Sequence, residues 1–64
     1  MNFAEEWLEK AQEARQRAEE ARTIAEWMRH EDTKQLMLTT ASDYDALARR
    51  ADQIADQVGQ LLRK

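Results

Sequence analysis

The chain has 64 residues, 36% of them charged, and ten basic against thirteen acidic side chains give a formal net charge of −3. That length allows one domain, and interspersed, slightly acidic charge disfavours long-range attraction to nucleic acid or anionic lipid. Without cysteine there is no disulfide framework or thiolate metal site, and with no proline and one glycine there is no signal for hairpin turns or phosphate-cradling loops.

Ala, Glu, Gln, Arg and Leu dominate, and all favour helix. No stretch approaches the ~20 apolar residues of a membrane span. The opening Met-Asn-Phe-Ala-Glu-Glu carries acids where a signal peptide would carry basic and apolar residues. The expected setting is soluble and cytoplasmic.

The first element is a helix predicted over about residues 3–29. Asn2 is placed to cap the free amides of its first turn, and Glu5 and Glu6 suit its positive end. Ala4, Trp7, Ala11, Ala14, Ala18, Ala21, Ala25 and Met28 recur alternately three and four apart, the spacing of one helical stripe. Continuing that stripe would land on Asp32, Gln35 and Thr39, all polar, so the helix ends there. Arg29 and His30 fall in its predicted last turn, where positive charge suits the negative end.

The connection is predicted at about Arg29 to Asp32. Asp32 is the expected N-cap of the second helix, with Gln35 three residues on as in a capping box. A loop this short makes the helices antiparallel neighbours. The second helix is predicted over about 33–62, with Gly59 as a soft spot. Its stripe is Met37, Ala41, Tyr44, Ala48, Ala51, Ala55, Val58 and Leu62. Each helix should be roughly 40–45 Å long at 1.5 Å per residue.

Folding the stripes together puts Met28 opposite Met37, Ala18 opposite Ala48, Ala14 opposite Ala51, Trp7 opposite Val58 and Ala4 opposite Leu62. The middle layers are Ala on Ala, which allows close helix axes. The same register independently sets Arg15 opposite Asp52 and Arg22 opposite Asp45 on one flank. The other flank carries Phe3, Ile24, Leu47, Ile54 and Leu61, joined near the turn by Trp27 and Leu36. Lys10 and Arg17 interrupt it with stems that can cover apolar surface. One hairpin cannot bury this second face, and an Ala-rich seam gives little core. The expected solution is an all-α antiparallel hairpin that dimerises into a four-helix bundle, with Phe3, Ile24, Trp27, Leu36, Leu47, Ile54 and Leu61 as the dimer or partner interface.

The segment from Ala18 to Asp52 resembles a group of short, largely uncharacterised alphaproteobacterial helical-hairpin proteins. The resemblance rests on an acidic, Ala-rich first helix, a turn, a Leu/Met-rich start and an A-x-x-Y-x-x-L-A-x-R-A tail, here Ala41, Tyr44, Leu47, Ala48, Arg50 and Ala51. Thr33 stands where the group often has proline after the Asp cap. The resemblance implies a bacterial origin and a helical hairpin, and brings no catalytic motif. In overall shape the chain is also similar to the plasmid RNA-binding protein Rop, a two-helix dimer of this size, without a matching RNA-contact motif.

Catalysis finds little to stand on. His30, with Glu26, Glu31 and Asp32 nearby, reads as helix-end electrostatics rather than a metal site, because no H-E-x-x-H or repeated Glu-x-x-His occurs. Tyr44 reads as core packing against Ala21, with no base or electrophile at helical spacing. Thr39, Thr40 and Ser42 lack a base or oxyanion loop. Arg15, Arg22, Arg29, Arg49 and Arg50 are interleaved with acids such as Glu19, Glu26 and Asp45, as on a solvated helix surface. Trp7 reads as end-of-bundle packing, and Trp27 as an interface residue. The expectation is a non-enzymatic interaction or structural protein with no cofactor, no metal, no membrane partner and no nucleic-acid partner. The alternative is a Rop-like RNA-binding dimer.

Overall fold

The computed structural model describes residues 2–63. Two helices, α1 (Phe3–Glu26) and α2 (Glu31–Leu62), pack antiparallel as a hairpin. The molecule is a thin rod of 53 × 15 × 10 Å between Cα extremes. At 1.5 Å per residue α1 is about 36 Å and α2 about 48 Å long, so the helices are less equal than the sequence suggested.

α1 begins as expected. Asn2 is extended at φ −105°, ψ 111°, and its Oδ1 accepts the Ala4 amide at 3.0 Å. Glu5 and Glu6 occupy the first turn, where carboxylates offset the helix dipole.

The turn departs from the sequence expectation. α1 stops at Glu26, three residues early, so Arg29 and His30 lie in the connection and not in a last helical turn. Trp27 is the C-cap, and its amide donates to the Ile24 carbonyl at 3.0 Å; the Met28 amide follows to Ala25 at 3.2 Å. The N-cap of α2 is His30, not Asp32. His30 is extended (φ −89°, ψ 123°) and makes no side-chain cap bond. Its carbonyl accepts the Lys34 amide and the Thr33 hydroxyl, both at 3.0 Å. Gln35 donates to Glu31 at 3.2 Å instead of closing a box with Asp32. Starting at Glu31 puts both Glu31 and Asp32 in the first turn, where two carboxylates meet the positive helix end and one side-chain cap is forgone.

The seam is built almost entirely of alanine. Ala11, Ala18, Ala21 and Ala25 of α1 and Ala41, Ala48, Ala51 and Ala55 of α2 are the buried residues. Among the described residues no larger side chain is fully buried. Alanine loses no side-chain entropy on folding and keeps the helix axes close. The bulkier stripe members, Trp7, Met28, Met37, Tyr44 and Val58, are half-buried toward the ends, and Met37 and Tyr44 pack on the Ala18, Ala21 and Ala41 cluster. Leu62, expected to close the seam opposite Ala4, is exposed at the open end.

Candidate interaction surface

The two flanks of the seam differ in chemistry. On the first, the Arg15 guanidinium donates to Asp52 and that of Arg22 to Asp45, both across the hairpin. These are the pairs the apolar register anticipated. The acids one turn further along α1, Glu19 for Arg15 and Glu26 for Arg22, are not the partners, and Asp45 serves Arg22 rather than the nearby Arg49. Leu8 and Leu38 also lie exposed along this flank. Sequence reading missed them, although each extends the heptad of an ion-pair residue: Leu8 with Arg15 and Arg22, Leu38 with Asp45 and Asp52.

The second flank is an unpartnered apolar strip. Phe3, Ile24, Trp27, Leu36, Leu47 and Leu61 are exposed, Trp27 most of all at 83%. Ile54 is half-buried. α1 contributes Phe3 and Ile24 at heptad spacing, with Lys10 and Arg17 between them; α2 contributes Leu47, Ile54 and Leu61 at the same spacing. Between the helices the strip sinks into an open groove of about 350 Å³. Trp7 and Tyr44 line it, Ala14 and Ala51 leave room in it, and Lys10, Arg17 and Leu47 stand along its sides. The Lys10 ammonium sits 5.8 Å from the centre of the Trp7 ring, a cation–π arrangement. Arg17 donates to Glu20 at 3.2 Å, one turn along α1.

The remaining candidates have ordinary structural partners. Thr40 donates back to the Leu36 carbonyl at 3.0 Å. Tyr44 packs on the alanine core. Among the described residues no three His, Asp or Glu side chains converge as a metal site. Among the described residues no helix is long and apolar enough to cross a membrane. None of the ion pairs among the described residues involves Arg49 or Arg50, and both are exposed.

No known protein family, curated protein or solved structure matches the chain.

Proposed function

We propose that the chain is a non-enzymatic interaction protein that works as a homodimeric helical bundle. The observation that carries this reading is the apolar strip, which runs along one flank from Phe3 and Leu61 at the open end to Trp27 and Leu36 at the turn and is interrupted on α1 by Lys10 and Arg17. The exposed area supports it. The single chain presents 5426 Å², whereas a folded monomer of 7.5 kDa is expected to present about 4,200 Å². The excess, roughly 1,200 Å² per copy, exceeds the ~800 Å² that each partner buries in a standard stable interface. The grooves between the helices are open to solvent, and among the described residues no three His, Asp or Glu side chains gather as a metal site, which favours binding over catalysis.

Sedimentation equilibrium tests the reading directly. A dimer at micromolar concentration is expected; a folded monomer there would refute it.

One observation favours a second reading, a Rop-like RNA-binding dimer. Arg49 and Arg50 are adjacent, exposed and outside the ion pairs described above. Against it, the dimer would double a net charge of −3, leaving little counterion release to drive association. Gel-shift titration with structured RNA and duplex DNA at low salt separates the two. No complex below micromolar concentration is expected; a tight one that weakens steeply with salt would promote the RNA reading, with Arg49 and Arg50 the first residues to neutralise.

A further inference from the structure

We propose that the second copy lies on the apolar strip with its turn at the opposite end, so that α1 packs antiparallel on the partner's α1 and α2 on the partner's α2. This rests on the homodimer reading and gives it a geometry.

Two closed arrangements bring identical strips face to face with all neighbouring helices antiparallel. They differ in what they place opposite the charged residues. With both turns at the same end, α1 faces the partner's α2. Glu20 then falls level with the partner's Asp43 and Glu13 with the partner's Arg50, so one pair repels where the next attracts, and Lys10 and Arg17 are pressed against the partner's Ile54 and the partner's Leu47. Two like charges are juxtaposed, and two cations are desolvated without a new carboxylate, both unfavourable.

With the turns at opposite ends, the three-and-four spacing of α1 meets itself in reverse. Lys10 falls opposite the partner's Glu20, and Glu13 opposite the partner's Arg17. The two-fold axis repeats each pair. Because Arg17 already holds Glu20 at 3.2 Å within one chain, the result is an unbroken row of alternating charge across the dimer. Phe3, 61% exposed, meets the partner's Trp27, and on α2 Leu47, 58% exposed, meets the partner's Ile54. The largest uncovered apolar groups of the α1 side thus cover one another. No like charges face each other along the α1 pair.

The chain has no cysteine, so a single spin label can be attached cleanly at Arg29→Cys, in the exposed connection and outside the proposed contacts. Electron–electron distance measurement on the labelled protein should give about 40 Å, from fourteen residues of helical rise on each side of the axis. A distance below about 25 Å would overturn the arrangement while leaving the dimer intact. Absence of coupling together with a monomeric mass would overturn the homodimer reading itself. A second test reads affinity. Glu13→Arg and Arg17→Glu should each weaken the dimer several-fold at unchanged helicity. The chain carrying both should recover to within about twofold, since each exchanged pair is restored across the axis. Failure of the double variant to recover would also overturn the arrangement.

Discussion

Arg22 donates to the Asp45 carboxylate from across the seam, 23 positions away in the chain, and one heptad along both helices Arg15 does the same to Asp52 over 37 positions. Two pairs separated by the same seven residues on antiparallel helices pin the register, because sliding either helix by one turn separates both. Their side chains are a third to a half exposed. Their strength is therefore modest, and their effect is on which alignment the alanines adopt.

The charge-reversed single variants Arg22→Glu and Asp45→Arg should each lower stability, and the double variant should recover it. A double-mutant cycle by urea denaturation at fixed protein concentration should give a coupling of about 0.2–1 kcal/mol. In ~1 M salt the coupling should be largely lost.

Ala18 is wholly buried in the alanine seam. Ala18→Leu should destabilise by about 1–3 kcal/mol although it adds apolar area, because the extra atoms must push the helices apart. Thermal denaturation followed by circular dichroism checks this, and a rise in melting temperature would show a loose seam.

His30 caps α2 with backbone geometry alone. His30→Asp supplies the missing acceptor and should stabilise by about 1 kcal/mol, whereas Asn2→Ala removes the working cap of α1 and should destabilise by about the same amount. Both are read from urea midpoints at one protein concentration.

Gly59 sits inside α2, and a methyl group added there would meet nothing within 4 Å. Gly59→Ala should therefore raise stability by about 0.5–1 kcal/mol through helix propensity alone, visible as a higher urea midpoint with an unchanged slope.

Ile54 is the least exposed member of the apolar strip. Ile54→Asp should abolish the dimer, or unfold the chain with it, by placing an unpaired carboxylate in a covered surface. Sedimentation and circular dichroism together distinguish the two, and a folded variant dimer of unchanged affinity would remove Ile54 from the interface.

The helical hairpin was legible because Met28 and Met37 are nine residues apart, about half a turn out of phase at 100° per residue. No single straight helix can bury both stripes on one side. The register was legible because charge and hydrophobicity specified it separately. The turn was not. Asp32 has the side chain of a good cap, but the chain begins α2 at Glu31 and gathers two acids into the first turn, a trade between capping and dipole that residue preference does not rank. Leu62 follows the stripe in sequence yet is exposed, because periodicity reports which face a residue shares and not whether the facing helix has a side chain large enough to cover it. The apolar strip was legible as a list of residues. The groove beside Trp7 and Tyr44 was not, since it depends on the absence of bulk at Ala14 and Ala51.

The alanine seam also constrains how this sequence can change over generations. At Ala11, Ala18 or Ala48 almost every replacement is an enlargement, and only glycine subtracts, at a cost of about 1 kcal/mol in a helix interior. Inheritance is thus one-sided along the stripe: small residues must persist there, while the outward positions between them can drift in identity so long as they stay soluble. Descendants of this chain that keep the hairpin should be recognisable less by shared residues than by a recurring narrowness, a three-and-four rhythm of the smallest side chains.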